Sequence, residues 1–422
     1  LGTGAENTTA GGRATYAALD GRVELGATFV EEGSAAGDRR LGGMDARARL
    51  GADTELRVEA AKTDSDDPTR PADGTAYLAE LRHVSESLDA RAYVREQEAA
   101  FGLGQQAATE AGTRKYGADG RWRFSDAWSA RAEAYEQRAL DLDNRRQLGE
   151  AELRYTQPTY AAGVGLRTVA DVRDGADERS DQAYGTGTWD VLDGRVQLKA
   201  SAEVAVSGAD DSADFPDRGR LGADWRFLPD YTAFAEYERA RGGTLAQDLT
   251  RLGVRAQPWT GGQLETALND AATENGPRLY SSLGLTQGWR VGERWTFDVG
   301  AERAETLRGA DVPPLVGQRP PVGGPNATGV AMPLEDFTAA FVGAGYRGAD
   351  WSATSRLERR EGRDEDRSLL SIGVYRETRR GQAFSLALRA EDTAARLEDA
   401  TGVDARLSWA WRPDASRWIV LD

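Results

Sequence analysis

The sequence predicts an all-β fold: a large antiparallel up-and-down transmembrane β-barrel of about 24 or more strands, in a single domain over 1–422. Three observations predict it. Apolar residues recur at every second position, short turns alternate with longer polar connections, and Trp and Tyr gather beside the short turns. The stretch Gly219–Tyr237, GRLGADWRFLPDYTAFAEY, shows the pattern. Leu221, Ala223, Trp225 and Phe227 fall on one face, and Arg220, Gly222, Asp224 and Arg226 on the other. Successive side chains of a pleated strand point to opposite sides, so this period of two means extended chain. After Leu228-Pro229-Asp230 the apolar face resumes with Tyr231, Ala233, Ala235 and Tyr237.

The unit recurs along the chain. Asp20-Gly21 joins a run ending at Leu19 to one carrying Val23, Leu25, Ala27 and Phe29, and an Asp-Gly pair between alternating runs is a strong hairpin signal. Glu31–Arg40 reads as a polar, Gly-rich loop. Met44, Ala46, Ala48 and Leu50 then meet Leu56, Val58 and Ala60 across Ala52-Asp53-Thr54, and acidic Asp64–Gly74 closes that unit. Thr75–Ser85 leaves its register open, since Tyr77, Ala79 and Leu81 compete with Ala76, Leu78 and Val84. Its partner reads cleanly as Leu88, Ala90, Ala92 and Val94. Rings enter at Tyr116, Trp122 and Phe124, answered after Ser125-Asp126 by Trp128, Ala130, Ala132 and Ala134. Further hairpins turn at Gln157-Pro158-Thr159, Asp193-Gly194, Gly292-Glu293-Arg294, Gly348-Ala349-Asp350, Arg380-Gly381 and Pro413-Asp414-Ala415. No stretch has a helical period, and the units share a pattern rather than a repeated sequence.

Composition narrows the function. No run of eighteen apolar residues exists, which excludes membrane crossing by helices; a barrel needs only alternate apolar positions. The net charge of −16 argues against a nucleic-acid partner, and the absence of Cys excludes disulfides and thiolate metal sites. The opening LGTGAENTTAGG contains neither the charged nor the apolar segment of a secretory signal.

A soluble propeller or β-solenoid also has many short strands. The membrane barrel is favoured by the asymmetry of the turns, by an Ala- and Gly-rich apolar face, and by where the rings sit. Trp122, Trp128, Tyr155, Tyr160, Trp189, Trp225, Tyr231, Trp289, Trp295, Tyr346, Trp351, Trp409 and Trp418 all lie near short turns on the apolar face. Amphipathic rings favour the membrane–water interface, where one end is wet and the other apolar. A spanning sheet must close, because hydrocarbon offers no partner for an open edge. Two dozen tilted strands give a ring about 45–50 Å across, whose lumen must hold water, a plug or another molecule.

The opposite faces carry the residues expected to line that lumen: Arg47, Arg49, Arg57, Arg121, Arg123, Arg131, Glu133, Glu152, Arg154, Lys199, Glu203, Arg226, Glu236, Arg356, Arg389, Asp404 and Arg406. Both signs are mixed, which suits a solvated wall of cross-strand pairs better than a sign-selective filter. The acidic stretches Asp64–Asp73, Asp171–Asp181, Gly208–Asp217 and Glu361–Asp366 read as solvated loops, since none has the spacing of a calcium loop. His83 has no Ser or Asp convincingly beside it. No catalytic residue, cofactor or metal site is therefore assigned, and the chain is expected not to be an enzyme.

Three stretches resemble a known family: AFGLGQQAATEAGTRKYGADGRWRFSD (Ala100–Asp126), EAELRYTQPTYAAGVGLR (Glu150–Arg167) and LEDFTAAFVGAGYRGADWSATSRLE (Leu334–Glu358). They are similar to the C-terminal outer-membrane β-barrel region of large proteobacterial surface proteins with N-terminal Ig-like repeats, chains often labelled OmpA-like or TonB-dependent. The resemblance implies an integral protein of the Gram-negative outer membrane and carries no catalytic motif. The expected function is a wide passage or scaffold, porin- or translocation-like, with the lumen occupied or plugged. The alternative is a non-conducting anchor for surface-exposed adhesion or envelope-organising domains. Expected partners are outer-membrane lipid and lipopolysaccharide, and a lumen plug or partner protein. One expectation concerns the seam. The first strand runs toward the short turn at Asp20-Gly21, and Trp418–Asp422 looks like only the beginning of a strand. An incomplete barrel is therefore predicted, with Gly12–Leu19 and Trp418–Asp422 paired to missing sequence or to another chain.

Overall fold

The computed structural model describes residues 8–421 apart from 35–36, 67–72, 103–109, 174, 209–214, 244, 274–275, 310–335, 364, 379–380, 396–398 and 415–416; side chains at 412–421 lie outside the description. Twenty-four strands follow one another, with no helix among the described residues. They are β1 (Thr8–Ala18), β2 (Val23–Ser34), β3 (Gly37–Arg49), β4 (Thr54–Ser65), β5 (Asp73–Val84), β6 (Leu88–Gln97), β7 (Thr113–Arg123) and β8 (Trp128–Ala139). Next come β9 (Arg145–Thr156), β10 (Tyr160–Arg173), β11 (Ala176–Val191), β12 (Val196–Gly208), β13 (Asp217–Leu228), β14 (Tyr231–Gly242), β15 (Leu245–Ala256) and β16 (Gly262–Thr273). The last are β17 (Gly276–Val291), β18 (Trp295–Gly309), β19 (Phe337–Arg347), β20 (Trp351–Gly362), β21 (Glu365–Thr378), β22 (Gln382–Ala395), β23 (Asp399–Asp414) and β24 (Arg417–Leu421). Each strand pairs antiparallel with its neighbours in the chain, in one sheet.

Register and side-chain reach distinguish the two faces. On one, Leu25, Leu81, Leu198, Leu221 and Leu407 stand exposed with no core against them. On the other, charged groups meet across an intervening strand: Arg13 of β1 lies 2.7 Å from Asp45 of β3, and Arg167 of β10 lies 3.3 Å from Glu203 of β12. Side chains converge on the concave side of a curved sheet and spread on the convex side. The charged face is thus the lumen and the apolar face the exterior. The open register of β5 resolves in favour of Tyr77, Ala79 and Leu81 outside, opposite Ala60, Val58 and Leu56.

One end of the barrel has only short connections, from two residues (229–230) to five (257–261). Two of these turns share the sequence Leu-Asp-Gly-Arg. Leu19, Asp20 and Gly21, and again Leu192, Asp193 and Gly194, have φ between 52° and 78°, and Gly21 N donates to Ala18 O at 3.1 Å. Consecutive left-handed residues match the twist of the flanking strands, which is why Asp-Gly favours this site.

The other end corrects the sequence reading. Glu31–Arg40, Asp171–Asp181 and Glu361–Asp366 are almost wholly strand rather than loop, and the intervals 174–175, 243–244 and 363–364 are as tight as any at the short-turn end. The strands outlast the apolar band. Beyond it, outward positions carry ion pairs such as Arg40–Glu31 at 2.8 Å and Arg179–Asp181 at 3.1 Å. The period of two persists there, but in charged residues that look like loop. Longer connections remain at 66–72, 98–112, 209–216 and 310–336, and most of Asp64–Asp73 and of Gly208–Asp217 lies outside the described residues.

The seam is the second correction. Gly12–Tyr16 pairs with Arg417–Leu421, Gly12 opposite Leu421 and Tyr16 opposite Arg417. On its other edge β24 pairs with β23 at Trp409, Ala410, Trp411 and Asp414. Over these five positions the two segments find their partners in each other rather than in another strand. The physical reason is that a strand need not span the wall to satisfy the two edges beside it over its own length.

Candidate functional site

The inward face is the surface on which solutes or a partner would meet this chain. The residues assigned to it from the sequence share one parity along their strands, and most are paired. Arg47 lies 2.6 Å from Glu55, Arg131 lies 3.4 Å from Glu133, and Arg154 lies 3.9 Å from Glu152. Arg57 bonds Glu59, and Arg389 lies 2.7 Å from Glu391. Arg356 stands 3.6 Å from the centroid of the Phe341 ring and 3.3 Å from Glu358. Arg123 donates to the Glu86 carbonyl at 2.7 Å. Arg49, Arg121, Arg226, Asp404 and Arg406 share the parity of these residues along their strands. Pairs this exposed each contribute only some tenths of a kcal/mol.

The wall from β8 to β13 is different, because several of its charges are buried. Arg146 on β9 donates through both Nε and Nη2 to Asp171 on β10, with side chains 4% and 7% exposed. Phe215, immediately before β13, is 3% exposed and packs with Tyr135, Leu148 and Val169. The Arg146 guanidinium lies 5.4 Å from its ring centroid. Gln182 fixes this segment, donating from Nε2 to Phe215 O at 2.7 Å and to Pro216 O at 3.2 Å. The β11–β12 register shifts between Asp181 and Gln182, and such a bulge re-aims the side chain beside it. Asp171 also accepts from Arg173 at 3.1 Å, so one buried carboxylate serves two cations here.

Next to this lies a row across four strands. Glu150 accepts from Arg167 Nε at 2.6 Å and from Tyr184 Oη at 3.1 Å, while Arg167 Nη1 reaches both Gln182 and Glu203 at 3.3 Å. Tyr184 can lie flat only because position 165 is glycine: a Cβ there would collide with its ring. Farther round, Arg154, Thr186, Lys199, Ser201, Arg220 and Glu236 line a recess of about 390 Å³. Lys199 donates to Asp224 at 2.6 Å, and Arg255 covers the Phe234 ring at 4.1 Å. Such a wall can hold polar or charged solutes through many weak contacts. Among the described residues no group of acidic or histidine side chains could hold a metal ion. His83 shares the parity of outward Leu81, with Nδ1 2.9 Å from Thr54 Oγ1.

Outside, the rings pack side by side at the short-turn end. Trp128 lies 4.7 Å from Tyr155, which lies 5.8 Å from Tyr160; Trp295 lies 4.8 Å from Tyr346, which lies 4.2 Å from Trp351. Trp122 opposes Leu88, Trp189 opposes Tyr160, Trp225 opposes Val196, Trp289 opposes Phe297 and Trp409 opposes Phe384. Phe227 bridges Trp225 and Tyr231. The Trp418 side chain lies outside the described residues.

Arg146, Glu150, Arg167, Gln182 and Phe215 carry no mark in the sequence, and Asp171 reads there only as the start of an acidic loop. The parity of Arg146, Leu148 and Glu150 with Glu152 and Arg154 could have found the first strand's residues. Phe215 has no comparable signal, since it stands in DSADFPD between two strands.

No protein-family model and no curated protein matches the sequence. Solved structures match in fold. The siderophore receptor PirA from Pseudomonas aeruginosa superposes with a TM-score of 0.55 at 10% identity, covering 98% of this chain and 79% of that one. A ferric enterobactin receptor (PfeA) mutant from the same organism gives 0.57 at 9% identity, covering 99% and 80%. At such identities the likeness is one of fold alone. The barrel fold and its apolar exterior place this chain in the Gram-negative outer membrane as an integral protein.

Proposed function

We propose that the chain forms a wide outer-membrane passage of the transport type, with its lumen narrowed along the wall from β8 to β13. The carrying observation is Phe215, a residue from a connecting segment that is buried against the inward face by Gln182 and Arg146. The remaining charges, including Arg47, Arg131, Lys199, Glu236 and Arg356, form the hydrated surface of the passage. Trp122, Trp225, Trp295 and their neighbours hold the short-turn rim at the membrane interface. The fold shared with receptors that handle siderophores supports traffic through the barrel, with a plug or partner protein as a further occupant of the lumen.

Planar-bilayer conductance tests this. The purified chain is expected to give a small stepwise current that rises in Phe215→Ala, where the packed segment loses its anchor. The burial of Arg146 and Phe215 also favours a second reading, a non-conducting anchor for surface-exposed domains. Silence in both proteins selects the anchor. A large open current in the parent chain, unchanged by the substitution, sinks the narrowed lumen.

A further inference from the structure

On the exterior, β7 to β9 combine a floor of small residues with a row of cations. Outward positions over two successive rows are Ala118, Ala134 and Gly149, then Gly120, Ala132 and Ala151. They floor an apolar trough of about 800 Å³, walled on the far side by Leu166 and Val206. Small outward rows also occur on β10 to β13, such as Ala162, Gly187 and Ala200, but other rows carry larger side chains, such as Leu252, Leu283 and Leu357.

Above the trough stands a row of three arginines. Arg114 on β7 is directly opposite Arg138 on β8, which is directly opposite Arg145 on β9. All three are exposed. Like charges directly opposite across strands repel, and neighbouring positions are only about 4.5–5.5 Å apart. Arg114 is paired with Glu96 and Arg138 with Glu136. Glu136 is buried and also accepts from Gln147. Arg145 has no ion pair among the described residues. Asp181, at the trough's edge, is already engaged by Thr168 at 2.5 Å and Ser207 at 2.8 Å. Three cations therefore face outward against two acids that are already bound, an arrangement a shared anion would relieve.

Height identifies the anion. From Phe124, beside the short turn, to Arg114 is ten residues along β7. At about 3.3 Å per residue and a tilt near 40° this is about 25 Å along the membrane normal, the height of an outer-membrane apolar band. The arginines thus stand at headgroup level in the leaflet away from the short turns, with the row Tyr116, Glu136 and Gln147 and then the trough below them. We infer that β7–β9 form a binding site for a phosphorylated, acylated glycolipid, its phosphate on Arg114, Arg138 and Arg145 and an acyl chain in the trough. Guanidinium groups suit phosphate, and a floor of small residues lets a chain approach the backbone closely.

The test uses the purified chain in detergent, with retained lipid measured by native mass spectrometry. Probes are lipid A with two phosphates, its dephosphorylated form, and inorganic phosphate. Variants are Arg114→Ala/Arg138→Ala/Arg145→Ala, the trough-filling Ala134→Leu/Ala151→Leu, and the control Arg303→Ala/Arg359→Ala, outward arginines on another wall. Both site variants are expected to retain diphosphorylated lipid A about tenfold more weakly, and the control to match the parent. Far-UV circular dichroism verifies that each variant keeps its strands; the trough variant leaves every charge in place. Equal loss in the control, no loss in the arginine variant, or inorganic phosphate bound as tightly as the lipid overturns the site. A parent chain that fails even to insert into vesicles overturns the membrane assignment as well.

Discussion

Leu198 and Lys199 are adjacent in the chain and stand in different solvents. Leu198 is opposite Ala223 on the exterior, whereas Lys199 reaches Asp224 in the lumen. Leu386 and Ser385 repeat the contrast on β22. Leu198→Arg or Leu386→Arg is expected to destabilise the barrel by roughly 2–4 kcal/mol near the bilayer midplane, with near-neutral effects for Lys199→Arg and Ser385→Arg. Urea titration of the vesicle-inserted protein measures this, and equal losses at neighbouring positions would refute the assignment of faces. At this scale much was legible, because parity alone assigns each strand residue to one face. What parity cannot reveal is depth of burial. Arg47 and Arg146 have the same parity and chemistry, yet one is solvated and the other sealed beneath Phe215, brought there by a connection without periodicity.

Strands and turns were legible where the apolar alternation runs, and that explains the successes and the errors alike. Most short turns fall where Asp-Gly, Pro or Gly interrupts the pattern, and those at 85–87 and 124–127 where Ser does. Beyond the apolar band the strands continue on backbone pairing and charged side chains, so Asp171–Asp181 imitates a loop. Two glycines of β11 and its turn show how backbone demands differ within one element. Gly194 has φ 73° and open space where a Cβ would stand, so Gly194→Ala is expected to lose about 1–2 kcal/mol from backbone conformation alone. Gly187 lies in extended strand with its nearest neighbour 3.9 Å from the added methyl, so Gly187→Ala is expected to be neutral or slightly stabilising. Thermal melting of the two variants checks this; equal destabilisation would mean that the turn is not held left-handed.

For the whole molecule, a ring of paired strands follows from the bilayer, which leaves no backbone group a partner other than protein. The seam was not legible, because no period in the sequence says which strand β1 will meet on its other edge. It has a kinetic consequence. Every other pair of neighbouring strands is also joined by the chain itself, whereas β1 and β24 meet through backbone pairing alone. Rupture, and hence the lifetime of the folded state, is then set at one line rather than by the average wall. The chain has no cysteine, so an introduced disulfide is unambiguous. Ala14→Cys/Ile419→Cys, directly opposite across the seam, is expected to slow unfolding far more than Ala132→Cys/Ala151→Cys in mid-wall. Equal slowing by the two staples would show that force and heat find no weak line here, and that the barrel fails as one body.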